Sequence, residues 1–584
     1  MFLRLYFMTR ARTLAFFCLA VSALAQSAAE TPRPARLEGV VVNLAGEPVA
    51  RAQVRLQGQT RVERGQAMAG AAYTANTGDD GKFVMENIDP ARNLNLTAQR
   101  TGFVTARYGM RSVNSPAVLL DLAPGESLTG LTITMTPQAV ISGRVLDPAG
   151  DPVQGIQLML QRWGYQRGVR QLVTQTNASS NDQGGFRFAN LMPGRYYLLT
   201  RDSRGVEYGN GVIALPTYYP SGADARSAGP IDLAAGQELR GVDIRLRQGR
   251  TFLVSGKVLE ASGAPAANIY LLPRRADDPN GNYNVQTQSR PDGAFELRGL
   301  LPGPYNVEAV STQSGTRTVG RFNLNVAGAN ISDLVFTIGP ITGSAALSGT
   351  MRLEEGDLEE LLPKPDANTQ NSAQLAIAAT NAGVPVSGFR PVIGLSSVAT
   401  TVGGTPPAQL KPDGTFTIEN VAPGKYTVSI AALPTGVYVK SVRFGSTDAL
   451  RAGIDFASSG KLDIVLAKNP ASVTGTVQNE QGEPQPGVLL TLWTKDPETG
   501  SSNNGVRTAN TDRKGQFEFP DLRPGAYSLA AWEDIDSGLA QVREFLELVK
   551  ADAATAELTP GERRTLQMRL IPVAKIQAAE EKLQ

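Results

Sequence analysis

The chain has 584 residues, 41% hydrophobic and 6% aromatic, with 56 basic against 54 acidic side chains, one cysteine and no histidine. That length exceeds what one hydrophobic core organises, so several domains are expected. The balanced charge offers nucleic acid no electrostatic attraction, and the missing histidine excludes Ser-His-Asp and Cys-His catalysis.

At the N-terminus, Arg4, Arg10 and Arg12 precede the apolar run Leu14 to Leu24, and Ala23-Leu24-Ala25 supplies small residues where a signal peptidase reads. This order predicts a signal peptide over residues 1–25, cleaved after Ala25, and an extracytoplasmic mature protein at the periplasm, cell surface or medium. The apolar run is shorter than the ~20 residues of a membrane span. No later run is long enough for a transmembrane helix. Removing three arginines leaves 53 basic residues against 54 acidic ones, a net charge of −1. Cys18 departs with the signal, so the mature chain holds no disulfide, no thiol nucleophile and no thiolate or imidazole metal ligand. No cofactor or metal is expected.

From residue 37 onward three phrases alternate. The first opens each unit as a short strand around Gly39, Gly143, Gly256, Gly349 and Gly475. The second is the phrase "GGFRFANLMPGRYYLL" at Gly184 and its relatives. In it Gly184, Phe186, Leu191, Pro193, Gly194 and Tyr196 recur as Gly293 to Tyr305, Gly414 to Tyr426 and Gly515 to Tyr527. A first copy keeps Gly81, Phe83, Ile88 and Pro90 but lacks the tyrosine. The leading glycine suits a tight hairpin turn, and Phe faces a core. Pro-Gly suits a type II turn, and Tyr opens a further strand with its hydroxyl tied to backbone. The third phrase closes each unit with alternating apolar residues from Leu131, Val242, Leu334, Leu462 and Leu566.

The opening strands recur at intervals of a small domain, and short strands between Gly/Pro turns predict β-sandwiches. The expected division is a linker at 26–36, then sandwiches at 37–137, 138–249, 250–342, 343–469 and 470–574. A polar tail at 575–584 is expected to be frayed or disordered. The fourth unit carries a long insertion, roughly Glu354 to Pro407, with one or two helical turns near its start. Links of a few residues favour a semi-rigid, elongated array.

These phrases resemble carboxypeptidase regulatory-like domains of the transthyretin or prealbumin type, over nearly all of residues 37–572. The resemblance implies an all-β chain of five tandem Greek-key sandwiches. It also implies an accessory role, because the zinc enzyme that the family name suggests requires histidines. Motifs made of core and turn residues specify a fold and leave function to surface decoration.

Three site types are weighed. Asp278, Asn280 and Asn282 have the alternation of a calcium loop, but Ser289 stands where a closing acid belongs, so a polar hairpin tip is the better reading. No Lys, Asn and acid recur at offsets that an internal isopeptide bond needs. For carbohydrate, Trp163 and Tyr165 stand among Arg162, Arg167 and Arg170, and Tyr208, Tyr218 and Tyr219 lie in a Gly/Pro-rich stretch. Trp493 and Trp532 add aromatics in the fifth unit, with core packing the better reading for Trp493. The expectation is a non-catalytic extracytoplasmic protein binding polysaccharide through Trp163, Tyr165, Tyr218, Tyr219 and Trp493. The alternative is a spacer or scaffold whose partner is a cell-envelope protein. An enzyme working with carboxylates alone stands third, with no residue marked out.

Overall fold

The computed structural model describes residues 33–59, 61–63, 66–110, 115–166, 169–201, 211–276, 285–311, 318–339, 345–363, 386–387, 390–398, 405–421, 423–457, 459–501 and 503–583. The expected signal segment with Cys18, Arg167, Tyr208, the oxygen-rich loop at 277–284 and much of the 354–407 stretch lie outside the described residues.

Strands dominate. Among the described residues, buried apolar side chains gather into six clusters. Five come from single stretches of chain: 35–135, 139–246, 252–338, 347–466 and 471–568. These stretches, modules one to five, follow the order of the repeated phrases. The first strand, Ala35–Asn43, begins inside the stretch read as a linker, with Ala35 already buried.

The three phrases are three strands of one sheet. In module one, Ala35–Asn43 pairs antiparallel with Lys82–Ile88 and parallel with Ser127–Met135. Module three repeats this with Phe252–Glu260, Ala294–Leu300 and Ile331–Ile338, and module five with Ala471–Gln478, Gln516–Leu522 and Arg563–Ile571. Modules two and four keep the same opening-strand centre.

The register explains the recurring residue types. Gly39, Gly143, Gly256, Gly349 and Gly475 each stand opposite the phrase phenylalanine: Phe83, Phe186, Phe295, Phe416 and Phe517. A Cβ on Gly475 would lie 1.9 Å from the Leu566 carbonyl oxygen and 2.8 Å from the Phe517 ring. Glycine is required there because the closing strand and the ring occupy the side-chain space, and each buried Phe contributes about 1.5–3 kcal/mol.

The phrase then crosses to the second sheet. Pro-Gly does not form a type II turn: Gly194, Gly303, Gly424 and Gly525 have φ of 141°, 137°, 154° and 150°, far from the ~80° such a turn needs. In modules two, three and four the two flanking strands belong to different sheets, and in module five they are non-neighbouring strands of one seven-stranded sheet, so the backbone runs across instead of folding back. Each tyrosine lands inside, and the hydroxyls of Tyr196, Tyr305 and Tyr527 donate to the carbonyls four residues earlier, of Met192, Leu301 and Arg523, at 2.8, 3.0 and 2.7 Å.

Two further expectations fail. The modules do not follow one another in a simple row, because module five touches modules one, two and four. Arg513 pairs with Glu126 of module one at 2.6 Å, and Val428 N–H of module four donates to the Gly500 carbonyl at 2.8 Å. Short links limit bending between neighbours but place no limit on where the chain returns. Val386–Ser387 also pairs with Arg61–Glu63, joining modules four and one. Nor is the tail frayed. Val573–Glu581 is a helix that buries Ile576 and Ala579.

Candidate functional site

The sixth cluster contains the site. It unites Tyr165 of module two with Trp493, Trp532, Phe545, Leu546 and Ile576 of module five. Much of the module-five part is an insertion after strand Gly525–Trp532, a 3-10 turn at Leu539–Gln541 and a helix at Arg543–Leu548, packed on Trp493 and Trp532 of the strands and on Ile576 of the C-terminal helix. Val542, Phe545, Leu546 and Val549 recur at helical spacing, and all four are buried. This pattern is legible in the sequence and was missed among the strand signals.

Module two contributes the hairpin of strands Gln157–Gln166 and Val169–Ser179, in which Trp163 faces Leu172 and Tyr165 faces Arg170 across the ladder. Two residues apart, Trp163 and Tyr165 both line one cleft between the modules, of about 590 Å³. Their environments differ. Trp163 stays 38% exposed, with the Arg170 guanidinium 4.7 Å from its ring centroid and the Tyr197 ring edge-on at 6.1 Å. Tyr165 is 9% exposed, and its hydroxyl donates to Glu580 Oε1 at 3.2 Å, on the C-terminal helix. Burial, reinforced by the Glu580 carboxylate, pushes the Tyr165 phenol up to about 12. Arg170 Nε stands 3.8 Å from the same carboxylate.

The rest of the cleft is mixed: Gln166, Gln175, Gln541 and Gln577 line it together with Val173, Ile535 and Val573, and the Arg170 guanidinium lies over the Trp163 ring. The Asp536 carboxylate accepts from the N–H groups of Gly538 and Leu539, both at 2.9 Å. Amides and carboxylates beside a partly exposed indole give a surface able to bind hydroxyls while the exposed part of the ring stacks.

The other aromatic candidates lie elsewhere. Trp493 is completely buried, on strand Leu489–Thr494. Tyr218 is buried beside Leu199 in the second sheet of module two, and Tyr219 is half-buried against the same core. Neither lines the cleft. With their rings enclosed by protein, Tyr165, Tyr218 and Trp493 have no face to offer a sugar, and Trp163 is the candidate that keeps one. Trp532 is also core, its Nε1 donating to Thr491 Oγ1 at 2.9 Å. Glu580, Asp536 and the glutamines escaped sequence reading because each occurs once, outside the repeated phrases.

Among the described residues, no group of three or more His, Cys, Asp or Glu side chains is placed to hold a metal ion. No helix among them is long and apolar enough to cross a membrane.

Residues 140–247 and 472–570, which fall in the two modules that form the cleft, match the carboxypeptidase regulatory-like domain. No curated protein matches the chain. Solved structures similar to it include a streptococcal ancillary pilin, at 9% identity over 52% of this chain and 99% of that one, with a TM-score of 0.21. GBS52, the minor pilin of Streptococcus agalactiae, is 16% identical over 35% and 96%, with a TM-score of 0.19. The Bacillus anthracis TIE protein is 10% identical over 71% and 68%, with a TM-score of 0.14.

Proposed function

We propose that the chain is a non-catalytic extracytoplasmic binding protein that takes an oligosaccharide in the cleft between modules two and five. One observation carries this reading: the partly exposed Trp163 ring stands on the wall of a cleft that also holds amide, guanidinium and carboxylate residues. Sugars carry apolar C–H faces and rims of hydroxyls, and that surface complements both. Secretion rests on the signal-like N-terminus. The test is a glycan array probed with the mature chain and its Trp163→Ala variant. A glycan bound by the parent and lost at least tenfold in the variant supports the site. No bound glycan, or a bound glycan indifferent to Trp163, overturns it.

A second reading has its own support. Tyr165, Trp493 and Trp532 hold modules together, which favours a scaffold presenting its outer faces to a cell-envelope protein. Capture of one such protein by the mature chain, unaffected by Trp163→Ala, favours the scaffold.

A further inference from the structure

A second cavity, of about 510 Å³, lies between modules four and five, away from Trp163. Its size falls within the ~300–1,000 Å³ of small-ligand sites. Module four supplies an aliphatic wall of Ile430, Leu433, Val439 and Leu450, all only partly covered by that module's core. The opposite wall belongs to module five and is polar.

Two guanidinium groups line that polar wall, and they differ in their partners. Arg523 is ion-paired with Glu498. Arg507 donates through Nη1 to the main-chain carbonyls of Pro520 at 2.7 Å and Asp521 at 3.3 Å. Among the described residues, no carboxylate comes within ion-pair distance of Arg507, and its Nε and Nη2 have no protein acceptor. The Asp521 side chain is exposed to solvent and acts on Arg507 only at longer range. Burial pulls the Arg507 guanidinium below its ordinary value, as expected for a cation sheltered without a counter-ion. A guanidinium with its Nε/Nη2 edge free matches a carboxylate in bidentate geometry.

We propose that this cavity binds an amphipathic carboxylate, its head on Arg507 and its apolar body along Ile430, Leu433 and Val439. A fatty acid and a peptide ending in an apolar residue both present this chemistry. Isothermal titration calorimetry of the mature chain separates the two sources. One arm uses decanoate against decan-1-ol, and the other acetyl-Gly-Leu-Leu as free acid against its C-terminal amide. At least one acid is expected to bind, with its uncharged counterpart at least tenfold weaker. Arg507→Gln is expected to lower the acid's affinity tenfold or more, and Leu433→Asp to do the same by placing a charge on the aliphatic wall. Trp163→Ala is expected to leave it unchanged. Leu433→Asp decides the matter if Arg507→Gln does not fold. Failure of both acids to bind, or an affinity that a folded variant at either position leaves intact, overturns the proposal.

Discussion

The main chain of Tyr165 lies so close to Gly538 that a Cβ on Gly538 would sit 2.1 Å from the Tyr165 carbonyl oxygen. Gly538 has φ of −74°, so alanine fits its own backbone; the severe clash lies across the module boundary, beside a tight 3.0 Å approach to the movable Asp536 side chain. Gly538→Ala is therefore expected to part modules two and five while leaving each folded. Small-angle scattering should show a larger radius of gyration at an unchanged circular-dichroism spectrum. An unchanged radius means that the contact is not what holds the two modules together.

Tyr165 makes the same contact pH-dependent. Its phenol is raised from 10.0 to about 12 by burial and by Glu580, with Arg170 opposing. Below pH 10 docked and undocked tyrosine both keep the proton. Between pH 10 and 12 only the undocked form ionises, so docking weakens as pH rises through that window. Tyr165→Phe removes this dependence and, by deleting one hydrogen bond, costs about 0.5–1.5 kcal/mol. Scattering profiles of both proteins from pH 9 to 12 check it; a transition that persists in the Phe variant belongs to other groups.

Arg390 in module four is buried and bonded to Glu359, to the carbonyls of Pro363 and Leu410 at 3.2 and 3.1 Å, and to that of Lys411 at 3.2 Å. Arg390→Ala leaves three carbonyls short of a donor. It is expected to lower module-four stability by about 1–3 kcal/mol, the cost of leaving buried acceptors unpaired, the partly exposed Glu359 adding little. Arg390 also holds the Glu359 carboxyl below its ordinary value, so the ion pair's small share of the effect is present above that value and lost as pH falls through the lowered one, while the bonds to the carbonyls persist. Urea unfolding at pH 7 and in mild acid measures both effects, and equal stability of parent and variant at pH 7 contradicts them.

Gly475→Ala places a methyl group 1.9 Å from the Leu566 carbonyl oxygen. The cost should exceed the ~1–3 kcal/mol of ordinary overpacking, because backbone, not a movable side chain, stands in the way. Gly46→Ala, at a turn with φ of 82° and nothing within 4 Å, should cost about 1 kcal/mol. Thermal unfolding of the two variants is expected to rank them in that order.

How much of this was legible in sequence depends on how often a residue recurs. The Gly–Phe pairs and buried tyrosines repeat from module to module, so the composition of the sheets could be read along the chain. Contacts such as Tyr165 with Gly538, Arg513 with Glu126 and Val428 with Gly500 join single residues hundreds or tens of positions apart. No local pattern marks such partners. Of the candidate aromatics, Tyr165 of the second unit meets Trp493 and Trp532 of the fifth, but as packing between modules, while Trp163 stays partly exposed beside them. The glycine conformation at Pro-Gly was misread because sequence shows the residue pair but not which sheet the next strand joins.

Module five meets modules one, two and four, and a ribosome makes all three before it. During synthesis the earlier sandwiches emerge with the faces that module five covers still bare, and modules two and four gain their contacts to it only when the last partner arrives. Completion is thus a single late event with long loops to close, and a chain truncated before residue 470 keeps its beads but loses its clasp.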